Sequence, residues 1–262
     1  MAEVQALQEG VLRSIGRAEE RLVRLLALEE LAKRQAAILD AVRKVERGIF
    51  IDTDGFTAPV GGEGEARECD KEASEVHRRI HSEITSKGIR EFKICRVPSD
   101  YYDRDLRFRR GCLEAHSIQH LCKSMVMENT KDEREYPAGL PEDGSDPWQS
   151  KYFMVIVQYV SKLHAEKLRD LIFDKRGGTT QRKKIKMRLA SESVSQAITG
   201  YAHNAVTPFA CKRRIPTIIS HHITNLRPDF FWMGAGEVDL KVGLPCTAFV
   251  QEFGIHVTDC TY

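Results

Sequence analysis

A lysine–serine pair in a short apolar run, Leu121-Cys-Lys-Ser-Met-Val-Met-Glu-Asn129, and a proline-terminated turn, Gly200-Tyr-Ala-His-Asn-Ala-Val-Thr-Pro-Phe209, carry the side chains best suited to chemistry. Together they could hold an ester. The first run reads as a strand, in which successive side chains point to opposite faces, so Lys123 shares a face with Leu121 and Met125 while Cys122 and Ser124 look the other way. An ammonium in such a strand needs a polar partner, a ligand or solvent, because burying it unpaired is costly. It either snorkels from a strand edge or serves a site. In the second run Pro208 fixes the turn and pushes Thr207 out of the helical region. Such a turn can leave consecutive N–H groups free for an anion or a developing oxyanion, with the Thr207 hydroxyl beside them; an ordinary surface loop is the plainer reading. His203 could relay a proton near neutral pH, or simply face solvent.

Other chemically suggestive residues read more blandly. His221 and His222 look like a metal pair, but in a strand neighbours face opposite ways and cannot chelate one ion. Cys122 beside Lys123 resembles an activated thiol, yet the same alternation separates them and a buried structural cysteine is the simpler reading. Seven cysteines, with no C-x-x-C pair, argue against a disulfide framework and a structural zinc site and for a reducing compartment. No metal or other cofactor is expected. The N-terminus has no signal-like apolar core, and no run of about 18 apolar residues could span a bilayer, so the expected location is cytoplasmic with no membrane partner.

Positioning these residues falls to a chain of 262 residues, 42% hydrophobic, with a formal net charge of +2. That balance does not announce a nucleic-acid binder; RNA contact would need local patches. Three are present: Arg104, Arg107, Arg109 and Arg110; the run from Lys175 to Arg188 with Lys183, Lys184 and Lys186; and Lys212, Arg213 and Arg214. A charged run is more usually a solvated face.

Residues 1–51 are rich in Leu, Ala, Glu, Arg and Lys, with apolar residues spaced by three and four from Val4 to Val42, which predicts a helical or coiled-coil extension. Its stripe packs on its own domain, on a second copy or on another protein. Residues 52–68 hold four glycines and a proline and read as a linker, which leaves 69–262 as the main domain. There the pattern predicts a helix over 69–87, a strand over 92–97, a short helix from Leu113, the Lys123 strand, a polar excursion over 130–150 and a doubly buried strand over 152–159. Helices follow at 164–173 and 191–199, and strands at 215–219, 238–244 and 248–253. The irregular order predicts an α+β fold: a mixed, largely antiparallel, barrel-like sheet surrounded by helices.

The Lys-Ser pair, the Gly-Tyr-x-x-x-x-Val-Thr-Pro-Phe turn, Arg214-Ile-Pro-Thr-Ile-Ile-Ser220 and Gly234-Ala-Gly-Glu-Val-Asp-Leu-Lys-Val-Gly-Leu244 resemble, in order and spacing, the YbaK/ProX family of aminoacyl-tRNA deacylases, free-standing relatives of the prolyl-tRNA synthetase editing domain. The likeness covers about residues 90–255 and is nearest a eukaryotic branch with a helical N-terminal extension. It implies the same α+β architecture and a trans-editing hydrolase that deacylates mischarged tRNA. Because the ester is already activated, such a protein positions it and stabilises the tetrahedral oxyanion without a metal or a serine or cysteine nucleophile. The resemblance implies catalytic roles for Lys123, Asn204, Ala205 and Thr207, and substrate contacts from Ser124, His203, Val206, Pro208, Gly234 and Gly236. RNA would meet Arg109, Arg110, Lys183, Lys184, Lys186, Lys212 and Arg213. Partners would be the aminoacylated acceptor end of tRNA and, through residues 1–51, a synthetase or a second copy. Asn204 stands where the family commonly has glycine and Ala210 where glycine often follows, although asparagine tolerates a left-handed backbone best among the other residues. A catalytically silent module docking on a synthetase or translation factor is the alternative.

Overall fold

The computed structural model describes residues 73–262, apart from 143, 179 and 180, together with Gln35. The chain divides at Arg67/Glu68, and the elements below belong to the second unit. The expectations for residues 1–51 and for the 52–68 linker lie outside the described residues.

Helix α1 (Glu75–Ser86) starts where Ser74 Oγ accepts from the His77 N–H at 3.1 Å. It buries Ile80 and Ile84, one turn apart, and stops at Lys87 and the left-handed Gly88. Strand β1 (Lys93–Arg96) follows. The short helix expected from Leu113 forms earlier, as α2 (Leu106–Cys112), because Asp105 caps it by accepting from the Phe108 N–H at 2.9 Å. Only a 3₁₀ turn, Ile118–His120, remains ahead of β2 (Cys122–Asn129). Strand β3 (Tyr152–Gln158) is buried at every position, as its almost wholly apolar run predicts.

Helix α3 (Ala165–Lys175), strand β4 (Met187–Leu189) and helix α4 (Glu192–Thr199) come next, then β5 (Thr217–Ser220) and a single helical turn, α5 (His221–Thr224). The histidine pair therefore opens a helix and not a strand: Ser220 accepts from the His222 N–H, and the two rings lie 4.0 Å apart. Strands β6 (Phe231–Gly234) and β7 (Leu240–Leu244) make a hairpin. The strand expected over 248–253 is instead helix α6 (Cys246–Phe253). Cys246, Phe249, Val250 and Phe253 recur at helical spacing, Asp229 accepts from the Cys246 and Thr247 N–H groups, and left-handed Gly254 ends the helix. Strand β8 (His256–Thr258) completes the chain.

Two sheets result, β1-β7-β6 and β4-β2-β3-β5-β8, joined by a bridge between Leu121 and Trp232. The β1–β7, β2–β3, β2–β4 and β6–β7 ladders are antiparallel, and β3–β5 and β5–β8 are parallel. The fold is thus α+β, with antiparallel and mixed sheets flanked by helices. The main core joins Ile80 and Ile84 of α1 to Phe231, Met233, Leu240, Val242 and Phe249; a second core lies where α3 sets Leu168 and Ile172 on Phe153, Val155 and Val157 of β3.

Candidate active site

Left-handed Gly200 ends α4 and starts the Thr-Pro turn. Within it Asn204 has φ 64° and Ala210 φ 47°, the two positions at which the resemblance expects glycine. Asparagine adopts this conformation readily; for alanine it costs about 1–2 kcal/mol and needs support. Support comes from α1. The Ala210 N–H donates to the Glu83 carboxylate, which also accepts from Arg214 Nη2 at 3.0 Å, while the Ala210 carbonyl accepts from Arg79 Nη2 at 2.7 Å. The Tyr201 hydroxyl bridges the Phe209 and Ala210 carbonyls at 2.8 and 3.0 Å.

The hairpin tip braces the other side of the turn. Gly236 N–H donates to the Ala205 carbonyl at 3.0 Å. A Cβ on Gly234 would sit 3.1 Å from the Val206 carbonyl oxygen, and one on Gly236, whose φ is 82°, would collide with Val76 and Tyr201. The space these glycines leave is filled by the protein's own chain. They fix the turn rather than line an open pocket.

Between these anchors the N–H groups of Asn204, Val206 and Thr207 make no hydrogen bond among the described residues. Thr207 is 0% exposed and its Oγ1 has no partner, a combination that buried hydroxyls rarely show. Its carbonyl accepts from the Cys211 thiol at 3.1 Å. Burial pushes that thiol up to about 12, with Glu83 adding to the rise.

Strand β2 splits the Lys-Ser pair between its faces, as alternation predicts. Ser124 looks toward β6, where its hydroxyl lies 3.7 Å from Met233 Sδ. Val126, on the same face, packs in the cluster that contains Val206. Lys123 pairs across the ladder with Val157 and lies on the opposite face; its half-buried ammonium, 5.8 Å from the centre of the Tyr159 ring, makes no hydrogen bond or ion pair among the described residues. A chain of phenols connects it to the turn. Tyr159 and Tyr102 share the Arg109 guanidinium, 5.4 and 5.2 Å from their ring centres, and Tyr102 donates to the Asn204 carbonyl at 2.8 Å. Burial raises the pKa of both phenols above the usual tyrosine range, which keeps them neutral donors.

Sequence reasoning missed this tyrosine cluster and Lys241, which faces it. Lys241, in the middle of β7, is 3% exposed, with its ammonium 5.1 and 4.8 Å from the Tyr101 and Tyr102 ring centres. Desolvation brings its pKa down to about 8, although Asp239 acts the other way. The signal was present: a lysine in the otherwise apolar Leu240–Leu244 run is as unusual as Lys123. Glu83 and Arg79 carried no signal, because their partners lie some 130 residues away.

Arg109 is turned inward. Its guanidinium donates to the Tyr102 and Arg104 carbonyls and lies within 5.5 Å of the Tyr101, Tyr102 and Tyr159 ring centres. Arg110 is half-buried, whereas Lys183, Lys184, Lys186, Lys212 and Arg213 are exposed. His203 is exposed too, Nδ1 3.2 Å from Glu192 Oε1. Pro208 is half-buried behind the turn. Cys122 is buried and its pKa is pushed well up by desolvation, so it is no thiolate. Among the described residues no group of three His, Cys, Asp or Glu side chains could hold a metal ion, and no helix is long and apolar enough to cross a membrane.

No protein-family model and no curated protein sequence matches the chain significantly. Solved structures do. A candidate trans-editing enzyme for prolyl tRNA synthetase superposes with a TM-score of 0.54 at 16% identity, over 73% of this chain and 99% of its own. A hypothetical protein gives 0.51 at 15% identity over 70% and 99% of the two chains. A scaffold protein from a study that grafted linear epitopes by computational design gives 0.53 at 14% identity over 72% and 99%. The likeness is one of fold.

Proposed function

We propose that residues 69–262 form a hydrolase domain that deacylates mischarged aminoacyl-tRNA in trans, as a member of the YbaK/ProX group. The observation that carries this reading is the braced 203–208 turn with its unbonded N–H groups at Asn204, Val206 and Thr207. The fold shared with a candidate trans-editing enzyme supports it. In this reading the ester carbonyl oxygen faces the unbonded N–H groups of the turn, donors held before any charge develops. Water adds to the carbonyl carbon, the negative charge that forms on oxygen meets those donors, and the C–O bond to ribose then breaks, with a proton passing to the leaving hydroxyl. The products are a free amino acid and uncharged tRNA.

Lys123 holds a phosphate or the ribose of the terminal nucleotide, a role suited to a mobile ammonium without a protein partner. Ser124 and Val206 bound the acyl group from the side of β6. Lys183, Lys184, Lys186, Lys212 and Arg213 offer exposed charge to the tRNA backbone, and residues 1–51 serve delivery by docking on a synthetase or pairing with a second copy. The protein would act in the cytoplasm.

A second reading, a silent docking module, is favoured by one contact: Tyr102 covers the Asn204 carbonyl. A deacylation screen against alanyl-, cysteinyl-, seryl-, threonyl- and prolyl-tRNA separates the two. Release of at least one amino acid, lost in Lys123→Ala, supports the enzyme; no release from any of the five supports the module.

A further inference from the structure

A phenylalanine near the surface of a protein ordinarily leans on the core beneath it, because an apolar ring gains by leaving water. Phe108 of α2 does not. It is half-buried and joins none of the four apolar clusters of this unit, while its helix neighbours Leu106 and Cys112 pack with the cluster of Leu121 and Trp232. The ring is met instead by the Arg104 guanidinium, 4.7 Å from its centre. Arg104 is exposed, and its side chain makes no hydrogen bond or ion pair among the described residues. A guanidinium over an aromatic ring, open to solvent, is a surface on which a nucleobase stacks, since every base has a π-face and both groups accept it.

The pair is held in place by its own helix. Asp105 accepts from the Phe108 N–H at 2.9 Å, and Arg109 Nε donates to the Arg104 carbonyl at 3.0 Å, so both residues hang from a capped first turn. The same arginine ties them to the candidate active site. Arg109 donates to the Tyr102 carbonyl at 2.7 Å, and Tyr102 reaches the Asn204 carbonyl of the Thr-Pro turn. Its guanidinium also lies 5.4 Å from the centre of the Tyr159 ring, over which Lys123 sits at 5.8 Å. Charge favours one base here and not a run of phosphates. Asp103 and Asp105 stand among Arg104 and Arg107, all four exposed, so the segment has little net charge with which to draw a polyanion.

We propose that Phe108 and Arg104 form a stacking site for one unpaired nucleobase. In the deacylase reading, on which the identity of the base rests, it belongs to the terminal nucleotide of the aminoacyl-tRNA, whose ribose carries the ester. The base lies against the guanidinium and the ring, Lys123 holds the same nucleotide by its phosphate or ribose, and the acyl group is directed at the Thr-Pro turn. The contact anchors substrate and touches none of the reacting atoms, so it contributes equally to the ground state and the transition state.

The test uses the full chain and a hairpin RNA whose unpaired tail ends in fluorescent aminopurine, a base whose emission is quenched by stacking. The parent should quench it saturably. Phe108→Leu, which removes a ring that lies outside the apolar clusters, should weaken binding about tenfold and abolish the quench, and Phe108→Tyr, which keeps a ring, should restore both. With aminoacyl-tRNA as substrate, Phe108→Leu should raise KM about tenfold and leave kcat within about twofold. A parent that gives no saturable quench overturns the proposal, and so does a folded Phe108→Leu protein that quenches like the parent. Amino-acid release without a quench removes the stacking site alone, whereas a quench without release from any of the five aminoacyl-tRNAs removes the enzyme and keeps the site. Aminopurine mononucleotide that binds as tightly as the hairpin overturns the assignment to a tRNA end and gives the site to a free nucleotide.

Discussion

Replacing Lys241 with methionine should make the protein more stable at neutral pH and should have much less effect in alkali. The folded state brings the Lys241 pKa from 10.5 down to about 8. At about 1.4 kcal/mol for each pH unit, the difference opposes folding by something on the order of 3 kcal/mol while the amine is protonated in both states. Below pH 8 the penalty is complete. Between about 8 and 10.5 the folded protein has released a proton that the unfolded chain still holds, so the unfolded state binds more protons and stability rises with pH. Above that window the penalty has gone. Lys241→Met should therefore exceed the parent by up to roughly 3 kcal/mol at pH 7, a rise in Tm of about 6–12 °C for a unit of this size, and the advantage should shrink through pH 8 to 10. Urea melts of both proteins at pH 7 and pH 10, in buffers free of phosphate and carboxylate, measure the two differences, and the titration of other groups cancels between parent and variant. A variant less stable than the parent by the same margin at both pH values would refute the reasoning. It would mean that the contacts to the Val238 and Leu240 carbonyls outweigh the cost of burial.

Glu83→Ala should destabilise by about 2 kcal/mol, since it strands the Ala210 N–H in a left-handed turn, whereas Arg214→Ala, which removes only the exposed partner, should cost under about 1 kcal/mol; chemical denaturation of both compares them. Lys123→Ala should lower deacylation about 10²–10³-fold in a folded protein, and Cys122→Ala should keep most of the activity; equal rates for Lys123→Ala and the parent would remove that lysine from the mechanism. Chelator treatment should leave the deacylation rate unchanged, and a stoichiometric metal whose removal abolishes activity would count against the water-and-turn mechanism. A chain starting near Cys69 should still hydrolyse aminoacyl-tRNA while losing self-association or synthetase binding, as light scattering and a deacylation assay would show; a soluble but inactive product would place the first 50 residues in the site.

The elements that the sequence made legible were those in which local pattern and tertiary role agree. Strand β3 reads as a doubly buried strand because Tyr152 to Val157 are all apolar, and every position of it is buried. Asn204 is legible as a left-handed position because it stands where the resemblance expects glycine and asparagine tolerates that backbone best; Ala210 carries no such signal. The errors occurred where the deciding residue lies elsewhere. Phe249 and its neighbours looked like a strand until Asp229, some seventeen residues upstream, was seen to cap them as a helix. His221 and His222 read as neighbours in a strand, but Ser220 ends β5 by capping the next turn. In the site, Lys123 and the Thr-Pro turn are visible as motifs, but the contacts of Tyr159 with Lys123 and of Tyr102 with Asn204 come from segments that carry no motif. The tyrosine cluster depends on three segments that share no motif.

The Thr-Pro turn is clamped by helix α1 from the start of this unit and by the β6–β7 hairpin from near its end. A ribosome that has released residues up to about 220 has made the whole turn and one of its two clamps, but not the other. Shape therefore arrives only once the hairpin has emerged, because contacts this distant in sequence must wait for the loops between them to close. A nascent chain is in this respect inert, and a proteolytic nick in either clamp should silence the turn without touching it.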